Sequence, residues 1–244
     1  MTSIIELDGK FWKSFKYLVA RPGVLTRDYL LGRRIGVLSP FRILLTSKIF
    51  YFLMISIFAQ SILTTPLRTH VTAYNFLHQP LAKKMVDERI KDRSSSFETI
   101  EGKFDEMSEK QAKTLTFIMV PLLFVFVTVL MHFFGGDGLK NLIFATHFVC
   151  FMLIVLALVV PVIHVGLKLL VQHGAVHLQA GHRELLFSSI LFFIYGLYFY
   201  FAIKCVYSLE WKRAFILSIL LAFSVYWVFI LYRMLLFFTT FSVI

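Results

Sequence analysis

Acidic residues are missing from the places where a membrane protein would use them. No Asp or Glu falls inside any of the five long apolar runs of this 244-residue chain. Proton-coupled transporters and pumps rely on such intramembrane carboxylates, so their absence weighs against active transport. Cysteine is equally scarce. The chain has two, Cys150 and Cys205, both inside apolar runs and neither in a CxxC or Cys/His metal spacing. They read as small apolar packing residues, with no disulfide framework. A phosphate-cradling Gly loop, a GxSxG elbow, an Asp-rich prenyl- or phosphatidyl-transfer motif and an HxxxxD acyltransferase signature are all missing. No catalytic residue is therefore assigned, the reading is non-enzymatic, and no cofactor is implied. The first 40 residues lack an apolar stretch followed by a small-residue cleavage site. The first apolar run is thus expected to act as its own insertion signal.

What the chain has in abundance is apolar length. Hydrophobic residues make up 58% of it, with 28 Phe, and the mean hydropathy is +0.77. Five runs, near 43–63, 114–134, 142–165, 185–206 and 214–238, each reach the ~20 residues that a helix needs to cross a bilayer. The expected fold is an all-α integral membrane protein with about five transmembrane helices, preceded by a cytoplasmic interfacial amphipathic helix. Residues 1–244 read as a single membrane domain, with 1–40 as the interfacial segment and 65–113 as an external loop.

The formal net charge of +11 is unevenly placed. Residues 1–48 carry nine Lys/Arg against three acids, Glu6, Asp8 and Asp28, a net +6. The positive-inside rule then puts the N-terminus in the cytoplasm, and five spans carry the C-terminus outside. Lys212 and Arg213, between the last two runs, agree with that orientation. In the 65–113 loop nine basic and eight acidic residues nearly cancel, and long loops translocate largely regardless of charge. A basic excess at a membrane boundary fits anionic headgroups better than nucleic acid, so the expected partners are the lipid bilayer and a protein partner or second copy.

Residues 9–20 read as a short helix capped by Asp8, with Phe11, Phe15, Leu18 and Val19 on one face and Lys10, Lys13 and Lys16 on another. Arg21-Pro22-Gly23 ends it, because Pro breaks the hydrogen-bond ladder and Gly frees the turn. A second segment, Val24–Leu31, stops at Gly32, and Ser39-Pro40 leads into the first span. Arg21, Arg33 and Arg34 are expected to anchor this region at the headgroups. Within 65–113, residues 66–93 show weak helical periodicity, and 94–113 suit a solvated helix or disorder. Gly135-Gly136-Asp137-Gly138 makes the second and third spans a hairpin. Pro121 and Pro161 are expected to kink their spans.

Six of the eight histidines lie between positions 132 and 182. His132 and His147 could face each other across the hairpin. As an intramembrane polar pair they suit a proton relay, a haem or metal ligand pair or a substrate contact. The plainer reading is a neutral His147 bonded to Thr128, Thr146 or a carbonyl as packing glue. His173 and His177 are four apart, the spacing of paired metal ligands on a helix, although Gly174 weakens the helix and HExxH is absent. The alternative is a solvated interfacial His face. Arg233, late in the last span, either snorkels to the interface or turns inward as a functional cation.

Several of these pieces resemble one family. Arg21-Pro22-Gly23, Asp28-Tyr29, Gly32-Arg33-Arg34 and Ser39-Pro40-Phe41 look like the start of a bacterial multi-pass membrane family, itself a domain of unknown function. Pro121, Phe144-Ala145-x-His147-Phe148 with Phe151, and Tyr198-x-x-x-Ala202-x-Lys204-x-Val206-Tyr207 are similar to its later spans. The resemblance covers most of residues 10–215 and implies an integral protein of the bacterial inner membrane. It supplies no activity. Two departures stand out: the Cys-rich zinc ribbon of many members is missing, and Asn141 stands where a His is expected.

The functional reading is a non-enzymatic membrane subunit or scaffold that works by helix packing with a partner. The alternatives are a transport or lipid-handling protein that uses its His, Lys and Arg set on anionic headgroups, and a His-ligated haem or metal membrane protein built on His132 and His147.

Overall fold

The structure, a computed structural model, describes residues 2–58, 63–72, 77–93, 96–172 and 180–244. All regular structure among them is helical: α1 (Thr2–Ala20), α2 (Val24–Leu30), α3 (Pro40–Phe58), α4 (Leu67–Thr72), α5 (Gln79–Arg93), α6 (Phe97–Leu115), α7 (Met119–Met131), α8 (Gly138–Gln172), α9 (Ala180–Tyr207) and α10 (Trp211–Val243). Short 3-10 turns, Thr116–Ile118 and His132–Phe134, flank α7. Among the described residues five stretches are long and apolar enough to cross a membrane: Pro40–Phe58, Phe97–Phe134, Gly138–Ile163, Leu185–Tyr207 and Trp211–Val243. The chain is thus an all-α, multi-pass membrane-type protein. In hydrocarbon every backbone polar group must be satisfied within the protein, and helices do that locally.

Local signals set the helix ends. The second apolar run stops where Gly135 turns left-handed (φ +72°) and Gly136 N–H closes on Met131 O at 3.2 Å, a glycine-terminated C-cap. Asp137 then caps α8, its carboxylate accepting Lys140 N–H at 2.8 Å. The expected hairpin therefore forms. One expectation fails: α1 already runs from Thr2, so Asp8 lies within the helix and is not its cap. Pro121 follows the 3-10 turn, where the ladder is already irregular, and Pro161 lies inside α8.

The contacts gather into two compact units, residues 1–60 with 123–225 and residues 61–122 with 226–244. In the first, α8 is the central element. Of its spanning stretch 83% is buried, against 22% for α3 and 28% for α9. Phe148 stacks on Phe199 of α9 at 4.0 Å and Phe151 on Tyr198 at 4.0 Å. Phe144 stacks on Phe199 at 6.1 Å. Positions 144, 148 and 151 share one helical face, which is why the Phe-Ala-x-His-Phe run zips α8 to α9.

The second unit holds most of the expected external loop, and its described part is ordered helix. Its core is Leu67, Ala82, Val86, Ile100, Phe104, Phe237 and Phe241. Ser96 caps α6 by accepting Thr99 N–H at 3.3 Å. The buried residues of α6, Ile100, Phe104, Ser108 and Ala112, recur every four positions, so a narrow apolar stripe binds an otherwise charged helix. Asp105 accepts Leu67 N–H at 2.8 Å, and Arg68 forks onto Glu101 at 3.1 and 3.2 Å.

Candidate functional site

In the first unit the Pro22-Gly23 turn and α2 are held against α8 and α9. Gly23 is left-handed (φ +82°), and a methyl group placed on it would stand 2.8 Å from both the Cα and the carbonyl O of Ala202. Only a residue without Cβ reaches that backbone unstrained. One turn on, Thr26 Oγ1 lies 2.8 Å from His147 Nδ1, both side chains buried. The hydroxyl donates when Nδ1 carries no proton, which leaves the proton on Nε2. Nε2 is buried and has no hydrogen-bond partner among the described residues. A second polar contact closes the same end of the unit: Tyr207 O–H donates to Asn141 Oδ1 at 2.7 Å, and Asn141 Nδ2 reaches Thr128 at 3.4 Å. Lys140 lies over the Tyr207 ring at 4.6 Å.

The structure does not bring His132 to His147. His132 is exposed and rests edge-on against Phe133. The partner of His147 is Thr26, not Thr128 or Thr146. Thr128 is taken by Asn141, and Thr146 donates to Leu142 O at 2.8 Å. Arg21, Arg33 and Arg34 are exposed, with Arg21 over Tyr17 at 5.5 Å and Arg34 over Tyr29 at 4.5 Å. His173 and His177 lie outside the described residues. No group of three His, Cys, Asp or Glu side chains converges among the described residues.

The second unit contains a site that sequence reasoning passed over. His70 Nδ1 and His78 Nε2 are 2.9 Å apart, with the two residues 0% and 4% exposed. Phe237 packs on both rings at 5.2 and 5.3 Å, and Phe104 meets His70 edge-on. Burial, chiefly, holds both imidazoles below their ordinary range, and the charges of His78 and Arg233 press His70 further down. At their 2.9 Å separation one ring nitrogen donates to the other, the direction set by the tautomers. Arg233 lies near enough for its charge to act on His70. The signal that could have found the pair is the eight-residue spacing of two His within a moderately apolar stretch.

The Thr26–His147 bond yields a double-mutant test. Thr26→Val strands the imidazole in an apolar interior and is expected to cost about 1–3 kcal/mol. His147→Phe keeps the bulk and costs less, since polar contacts between membrane helices average about 0.6 kcal/mol. The double variant should be less destabilised than the sum, read by thermal unfolding in detergent. Strict additivity would mean the two groups do not interact.

Residues 8–52 match the family model described as Protein of unknown function (DUF3667). The matched stretch ends within α3, so it holds Gly23 and Thr26 but not His147. An uncharacterised family is therefore what this part of the chain is similar to. Neither a curated protein nor a solved structure matches the chain.

Proposed function

We propose that the chain is a non-enzymatic integral subunit of a bacterial inner membrane, N-terminus cytoplasmic and C-terminus external, that acts by packing against a partner. One observation carries this reading: the Thr26–His147 and Tyr207–Asn141–Thr128 contacts inside the first unit join its own helices, while exposed faces of its helices are apolar. Thr26, Asn141 and Tyr207 all hold helix to helix. Outside, Phe193, Leu197 and Phe201 form an exposed stripe on α9, and Phe215, Ile219 and Phe223 one on α10. Such stripes at i, i+4, i+8 spacing suit lateral helix contacts.

A photo-cross-linking residue at Phe193 or Phe201 is expected to give one discrete protein adduct in intact membranes. Adducts to lipid alone, at every stripe position, would sink the scaffold reading. For orientation, Thr2→Cys and Ser95→Cys in a background lacking Cys150 and Cys205 are expected to label from inside and outside, respectively. The inverse pattern would reverse the topology.

A further inference from the structure

We propose that Lys13, Tyr17 and Arg21 form a site for the phosphate of an anionic phospholipid, flanked by apolar side chains that enter the leaflet. Lys13 Nζ and Arg21 Cζ stand 5.8 and 5.5 Å from the centroid of the same Tyr17 ring. No carboxylate among the described residues pairs with either cation. The ring face attracts each cation and leaves its charge available to an anion. The Lys13 ammonium also lies beside the loop that precedes the first spanning helix, 3.2 Å from where a methyl on Gly36 would sit. Lys13 and Tyr17 on α1 and Arg21 just beyond its end are spaced one turn apart, so they follow one another along one face. Arg21 lies just past the last turn of α1, where the helix dipole favours a cation.

The neighbouring side chains identify the anion as part of a lipid rather than free phosphate. Ile35 is 97% exposed, Trp12 69% and Leu31 60%. Ile35 follows Arg33 and Arg34, and the loop leads directly into the first spanning helix at Pro40. Apolar tips beside basic heads suit the headgroup–acyl boundary and suit bulk water poorly. The phenol of Tyr17 fits the same level. The site deepens the membrane reading above, on which it rests, but is independent of the scaffold role and of the orientation.

The full chain is purified, reconstituted into phosphatidylcholine nanodiscs with or without phosphatidylglycerol, and released for native mass spectrometry. Wild type is expected to retain phosphatidylglycerol in preference to phosphatidylcholine. Lys13→Gln/Arg21→Gln should weaken that retention about tenfold or more, as expected for two basic residues at an anionic surface, without changing the melting temperature. The charge-conserving Lys13→Arg/Arg21→Lys should restore it. Lys212→Gln/Arg213→Gln, which removes equal charge elsewhere, should retain the lipid. Equal loss in that control would reduce the site to diffuse attraction and overturn the proposal. Equal retention of both lipids, or stabilisation by inorganic phosphate matching that by phosphatidylglycerol, would also overturn it. Failure to enter nanodiscs at all would indict the membrane reading, whereas lost selectivity with intact incorporation indicts only the site.

Discussion

Gly23→Ala is expected to be the most damaging single-methyl change in the first unit. The residue must hold φ +82°, and the added carbon would lie 2.8 Å from the Ala202 backbone and 2.9 Å from Cys205 Cβ. A left-handed conformation costs an L-residue roughly 1–2 kcal/mol, and overpacking adds typically 1–3 kcal/mol. Backbone at the contact cannot rotate away, so the turn must lift from α9. The expected loss is about 2–5 kcal/mol. Gly32→Ala provides the comparison, because Gly32 is also left-handed (φ +75°) but has open space around it. It should lose only the conformational part. A thiol-reactive dye that reports exposure of Cys205 during heating measures both. Equal shifts for the two variants would mean that the Gly23–Ala202 approach contributes nothing.

Acidification is expected to loosen the second unit through its histidine pair. Burial lowers the folded-state pKa of His70, helped by the charges of His78 and Arg233, and burial lowers that of His78. Between the depressed folded value and the unfolded value near 6.5, the unfolded chain binds a proton that the folded chain refuses. The stability is fully present above about pH 6.5 and declines as the pH falls toward the folded-state value. The slope is about 1.4 kcal/mol per pH unit for each such proton. Hydrogen exchange over residues 67–115, corrected for the intrinsic pH dependence, should show protection falling from pH 6.5 downward. His70→Leu/His78→Leu should flatten that profile, because exchanging both partners for apolar groups removes the polar demand together with its satisfaction. His70→Leu alone, which takes away the ring partner of His78, should cost about 1–3 kcal/mol at neutral pH. A pH profile identical in wild type and the double variant would assign the acid sensitivity to other groups. Those facing the pair's helices are Asp105 and Glu101 on α6, Arg68 on α4, Arg89 on α5 and Arg233 on α10.

The five spanning helices were legible because apolar length is a property of composition alone. The hairpin at Gly135 was legible because glycine and aspartate write their backbone demands locally. The helical order of residues 97–115 was harder to see. Only every fourth residue is buried, and the charges between them dominate any average over the segment. The partner of His147 could not be read at all, since Thr26 lies 121 residues away and sequence spacing carries no information about that distance. His70 and His78 were overlooked for a related reason. Their importance comes from Phe104 and Phe237, which arrive from two other helices. Asn141, noticed only as a departure from a resembling family, is the acceptor for Tyr207.

The separation between Thr26 and its histidine also sets a sequence of events during synthesis. Translation at roughly 5–20 residues per second leaves the hydroxyl without its imidazole for on the order of ten seconds. Ala202, which receives Gly23, emerges later still. Throughout that interval the first spanning helix must find its place while the turn before it has nothing to grip. The Gly23–Ala202 approach is therefore the later of the two to form, and a nascent chain stalled before the fourth span would hold both Thr26 and His147 but not the backbone that receives its leading turn.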